Sequence, residues 1–217
     1  NAGTLTFSGT DGSALNSASF TVSSGATLTL DNSSANNIDR IGAVGITLNG
    51  GNFNFIGKNV DTTDASETVG VLTIGSGSNI VTVTPGTGGS TTMTFANFSR
   101  MPGATVLFRG TNLGSSPAAD VSTIIFTTPP ATMIGTSTTA GDKNLQIIPG
   151  AFGDASLAGT GADMVTYGIV GSTGLRLLTT SEYATDLSID NTNVKLSSSV
   201  APTTDKTINS LILDSTG

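Results

Sequence analysis

A chain of 217 residues with 36% hydrophobic, 5% aromatic and 11% charged residues, and with 28 glycines, cannot fill a thick globular core, but it can fill a thin one repeated many times. Its net charge is −7, from 15 acidic and 8 basic residues without a Lys/Arg cluster, which argues against nucleic-acid binding, and its longest apolar runs, such as Ile124-Ile125-Phe126, are too short to insert in a membrane as a helix. Cysteine and histidine are absent, so disulfides, thiolate chemistry, a Ser-His-Asp triad and His-based metal sites are excluded.

The first predicted element is the strand Leu5-Thr6-Phe7, followed by the turn Ser8-Gly9-Thr10. The same phrase, two apolar residues flanking a polar one and then a small-residue turn, returns at Phe20-Thr21-Val22 before Gly25 and at Ile46-Thr47-Leu48 before Gly51. It returns again at Leu72-Thr73-Ile74 before Gly77, at Phe98-Ser99-Arg100 before Gly103, and at Ile124-Ile125-Phe126 before Pro129. From Phe20 to Ile124 the step is 26 residues each time. A fixed period of this size is the signature of a repeat architecture.

A second strand is predicted after each turn, at Leu28-Thr29-Leu30, Phe53-Asn54-Phe55, Ile80 to Val83, and Val106-Leu107-Phe108. The unit is therefore strand, short turn, strand and a longer return segment. Side chains alternate across a strand, so the apolar members share one face while the intervening Thr residues share the other. One unit cannot bury its apolar face alone. Units stacked about 4.8 Å apart can, because each strand pairs with its copies above and below. Phe20, Val22, Leu28, Ile46, Leu48, Phe53, Phe55, Leu72, Ile74, Ile80, Val106 and Phe108 are the predicted inner core. Arg100 occupies an inward slot, so the pattern is not strict.

Further along, Pro129-Pro130 interrupts pairing and residues 132–142 read as a Ser/Thr/Gly loop. Looser copies follow at Leu145, Ile169, Leu187 and Leu211, and Ser181 to Thr185 reads as a short helical turn between strands. The expected fold is all-β: a single-stranded parallel β-helix or β-solenoid with rungs of about 18–26 residues. It forms one domain, with a regular 26-residue repeat over 1–129 and irregular rungs with longer loops over 130–217. The start at Asn1-Ala2-Gly3, without Met or a signal peptide, reads as a processed or excised piece of a longer chain or fibre.

The segments 101–114 (MPGATVLFRGTNLG), 144–154 (NLQIIPGAFGD), 164–168 (MVTYG), 174–186 (GLRLLTTSEYATD) and 208–214 (INSLILD) resemble, in the same order, bacterial autotransporter-associated β-strand repeat proteins. The resemblance covers roughly residues 100–217. It implies a parallel β-helix, a secreted, extracellular or bacterial cell-surface location and a structural or adhesive role. It carries no catalytic motif to any position of this chain.

Acidic clusters are the only route to metal or acid–base chemistry. Asp61, Asp64 and Glu67 sit at spacing three and form a weak Ca²⁺ candidate through carboxylate oxygens; a solvated loop is the simpler reading, and no other cofactor is indicated. Arg109 reads as a cover on the exterior of a strand, and Tyr183 beside Glu182 reads as a packed Tyr. Outward Thr pairs such as Thr27/Thr29 suggest an ice-binding array, but Asn52/Asn54 follow them at the next rung and break the ladder. The sequons at Asn32 and Asn97 are incidental. Both chain ends read as ordinary rungs, so the expected partner is another copy, stacked head to tail through uncapped ends. The function expected is a structural, non-enzymatic fibre segment. A carbohydrate-binding adhesin that contacts cell-surface polysaccharide, or a β-helix lyase or glycosidase, is the alternative.

Overall fold

The computed structural model describes residues 2–59, 64–168 and 174–214. The chain winds as a β-solenoid of about four coils made of stacked parallel strands. β1 (Gly3–Ser8) precedes the first coil, which contains β2 (Ser19–Ser23) and β3 (Ala26–Asp31). The second coil is β4 (Gly45–Asn49), β5 (Asn52–Ile56) and β6 (Ala65–Val69); the third is β7 (Leu72–Ser76), β8 (Ser78–Thr84) and β9 (Thr91–Phe95). The fourth is β10 (Phe98–Arg100), β11 (Thr105–Gly110) and β12 (Ser122–Phe126). Beyond it come β13 (Ala151–Asp154), β14 (Asp163–Tyr167), β15 (Leu175–Leu177), a 3₁₀ turn over Thr180–Glu182, β16 (Asn193–Leu196) and β17 (Ser210–Leu213).

Three sheets run along the coil. In the first, Phe20, Ile46, Leu72 and Phe98 lie directly over one another at the 26-residue step. Ile124 departs from this column. It belongs to β12 in the third sheet and lies over Met93, while Phe126 lies over Phe95 and Val69. The third sheet, β6–β9–β12, is the return segment of each coil. Its inward positions alternate as cleanly as those of the other two, with Ala65, Glu67 and Val69 buried in β6 and Thr91, Met93 and Phe95 buried in β9.

The second sheet stacks Leu5, Leu28, Phe53, Val81 and Phe108. Leu5-Thr6-Phe7 therefore belongs to this post-turn ladder, not to the Phe20 column. The predicted core residue Ile80 also needs correction. It faces outward, and Val81 and Val83 face in, because the step from Phe53 to Val81 is 28 residues where the step before it is 25. A shift of one residue exchanges the two faces of a strand. Asn79 thereby enters the interior, 2% exposed, and its amide serves the turns. Its Oδ1 accepts the N–H groups of Gly50 and Gly51, and its Nδ2 donates to the carbonyls of Ser76, Gly77 and Thr105. The left-handed turn positions are Gly25, Gly50, Gly77 and Gly103, with φ between 67° and 82°. Gly51 has a different role: a Cβ there would come 2.6 Å from Val22 Cγ1, so it permits close stacking, not the turn itself.

Phe53, Phe55, Phe95, Phe108 and Phe126 are fully buried. Phe95 touches Phe53 and Phe126 at centroid distances of 5.9 Å, so aromatic rings tie adjacent coils together. Past the fourth coil the parallel order ends. β13 pairs parallel with β11, but β14 and β15 add antiparallel and lie across the end of the core. Val165 and Leu175 are fully buried there, and the Tyr167 hydroxyl accepts the Phe126 N–H at 2.9 Å. A Cβ on Gly153 would strike Val165 and Leu177, so the Gly makes room for this cover. Of the looser copies, Leu145 takes part in a single bridge to Ser137, Leu187 lies in a bend, and Ile169 falls outside the described residues. Leu211 begins the β17 apolar pair, and β17 runs parallel to β16 in a small second sheet.

Candidate functional site

The N-terminal side of the solenoid is open. β1 pairs only with β3, and β2 pairs only with β4, so each ends its sheet. No described strand lies over β2 at the level of β1. In its place is a groove of about 260 Å³ whose walls include Leu5, Phe20, Val22 and Leu28. Leu5 is 50% exposed, and Phe20 is held from below by an edge-to-face contact with Phe7 at 5.8 Å. The groove offers unpaired backbone groups on one side and two apolar side chains at strand spacing beneath, which is the template of an added strand. At the other end of the chain, β17 pairs only with β16 among the described strands, leaving Leu211 and Leu213 exposed.

A cleft of about 590 Å³ lies between the β14 start, the 3₁₀ turn and β16. Lys195 Nζ is 2.9 Å from Asp163 Oδ1 and donates to the Ala162 carbonyl at 2.9 Å. The ammonium also lies 5.6 Å from the Tyr183 ring centroid. The Tyr183 hydroxyl accepts the Met164 N–H at 2.7 Å, and burial raises its pKa. Tyr183 is thus packed, as its setting in the sequence predicts, and Glu182 beside it is buried as well.

Two carboxylates are enclosed for different reasons. Glu67 projects into the core from β6, and its oxygens accept the N–H groups of Arg40 and Ile41. Burial raises its pKa to about 7 against these bonds. The Arg40 guanidinium points away from Glu67 and donates to Asn32 Oδ1 and to the carbonyls of Gly9, Gly12 and Ala35. At the other end of the molecule, burial would raise the Glu182 pKa. The bidentate Arg176 guanidinium and the N–H groups of Thr179 and Gly141 outweigh it and hold the value at about 2.

The two groups act on stability in opposite directions. Glu67 keeps its proton more tightly when folded, so its contribution is full below pH 4.5 and is lost as the pH rises through about 7. Glu182 releases its proton more readily when folded, so its contribution is full above pH 4.5 and is lost as the pH falls through about 2. Stability is therefore expected to peak in mild acid and to fall by on the order of 3 kcal/mol toward neutrality. Urea midpoints across the pH range measure this. Glu67→Gln should flatten the neutral limb and Glu182→Gln the acid limb; a profile that rises toward neutrality would contradict the assignment.

The Ca²⁺ candidate residues are not brought together. Asp61 lies outside the described residues. Asp64 Oδ1 accepts the Ser90 N–H and hydroxyl at 2.9 and 2.7 Å, one coil step of 26 residues away, whereas Glu67 is turned into the core. Among the described residues no group of three or more acidic side chains is placed to hold a metal. Arg109 covers the outer face of its strand as expected, with Nε on Thr82 Oγ1 at 3.0 Å. Thr27 and Thr29 do stack over Asn52 and Asn54. Asn32, in the first sequon, is fully buried against Arg40. The buried Arg40 was missed by sequence reasoning, and a lone Arg in a polar return segment carries no signal for it. Among the described residues no helix is long and apolar enough to cross a membrane. No family model, curated protein or solved structure matches the chain.

Proposed function

We propose that the chain is a section of a stiff extracellular or bacterial cell-surface fibre, a β-solenoid rod with a structural role and no catalytic one. The rod extends by head-to-tail stacking of copies or by continuation of the chain. The observation that carries this reading is the vacant strand position over β2, with apolar Phe20 and Val22 beneath it and the free edge of β1 alongside. A strand carrying the chain's own repeat phrase fits there, apolar residues over apolar residues, as Ile46 and Leu48 fit below. A contact of that kind is heterologous and propagates without closing. The resemblance of residues 100–217 to autotransporter-associated repeats supports the surface setting.

Negative-stain images and sedimentation across a concentration series test the stacking. Fibres or oligomers that lengthen with concentration are expected. Leu5→Lys places a charge at the open edge and should abolish them without unfolding the chain. If the parent chain stays monomeric at every concentration, non-covalent stacking is rejected.

A further inference from the structure

We propose that the cleft beside Tyr183 binds a neutral hexose-based glycan. The cleft volume of about 590 Å³ lies within the range of small-ligand sites, about 300–1,000 Å³. Its polar groups are of both kinds and are largely free. Among the described residues, the hydroxyls of Thr180, Thr185 and Ser197 and the carboxylate of Asp214 make no hydrogen bond to the protein. The Lys195 ammonium has three N–H donors, of which two go to Ala162 and Asp163. Leu178 and Tyr183 supply an apolar part of the wall. Donors and acceptors interleaved around an apolar surface match a sugar, whose hydroxyls both donate and accept and whose C–H face is apolar.

The charges select among sugars. Asp163 neutralises Lys195 at 2.9 Å, and Asp214 remains, so the cleft carries a net negative charge. A uronate or a sulfated sugar would meet repulsion with no free cation to offset it. A bare divalent cation is also poorly served, because the Asp163 carboxylate is already engaged by Lys195 and by the Tyr183 hydroxyl. This assignment is independent of fibre assembly, since the cleft lies away from the β1–β2 groove.

Calorimetric titration of the whole chain tests it with cellohexaose, laminarihexaose and mannohexaose, alongside an oligogalacturonate and calcium chloride. At least one neutral probe should bind with a Kd below about 1 mM. Thr185→Leu and Ser197→Leu fill the cleft from exposed positions, and each should weaken that binding at least tenfold. Thr94→Ala, on the outer face of the third sheet, should leave it unchanged. The proposal is overturned if no neutral probe binds at about 10 mM. It is equally overturned if the uronate or Ca²⁺ binds more tightly, or if both filling variants bind as the parent does.

Discussion

Phe95→Ala is expected to lower the unfolding free energy by about 3–5 kcal/mol, the usual loss for truncating a fully buried Phe. The ring is fully enclosed in the third coil. It contacts Phe53 of the coil before and Phe126 of the coil after, both at 5.9 Å. A solenoid holds itself together through interfaces between neighbouring coils. Removing a ring that spans two of them leaves a cavity that the thin core cannot close by collapsing, because strand pairing fixes the coil spacing. Urea unfolding measures the loss. Ile80→Ala is the internal comparison: Ile80 reads as core in the sequence but faces outward, so it should cost about 1 kcal/mol. Equal losses at the two positions would mean that the register of β8 is wrong.

Arg40→Met is expected to cost a similar 3–5 kcal/mol, for an electrostatic reason. The methionine keeps the apolar stem and removes the guanidinium. The carbonyls of Gly9, Gly12 and Ala35 and the amide oxygen of Asn32 then lose their donor inside a closed site. Those acceptors lie in the two segments that cover the first coils, so the loss should be local. Hydrogen exchange should speed up over residues 9–41 and remain unchanged over 143–214. Arg40→Lys keeps the charge but cannot reach four acceptors at once, and should fall between the parent and Met. Uniform acceleration along the whole chain, or no measurable loss, would show that Arg40 does not hold this cover.

Much of the architecture is legible in the residue string. The Phe20, Ile46, Leu72 and Phe98 column follows from the 26-residue step, and the outward Thr residues follow from alternation. The third sheet is equally periodic, with Val69 and Phe95 one step apart, but its inward slots hold Ala65, Glu67 and Thr91. Such residues give no apolar phrase to recognise. Ile124 continues the numerical series by coincidence, because the third coil-to-coil step on its own sheet, from Met93, is 31 residues. A longer return loop shifts the count without disturbing the stack.

The candidate sites divide in the same way. The open edge at β1 and β2 follows from where the repeat phrases begin. The cleft does not, since Asp163, Tyr183 and Lys195 meet only after β14 reverses direction and β16 returns beside it.

Taken alone, the residue order determined the coil: its period, its small-residue turns and which side chains of the first sheet lie inside, all set by local alternation and by glycine's freedom at positive φ. Only the tertiary structure decided the register of β8, the third sheet, the antiparallel cover over the fourth coil and the interior places of Arg40, Glu67 and Asn79. Each of those depends on loop length and on which distant backbone groups need a partner, and neither quantity is written in the neighbours of a residue.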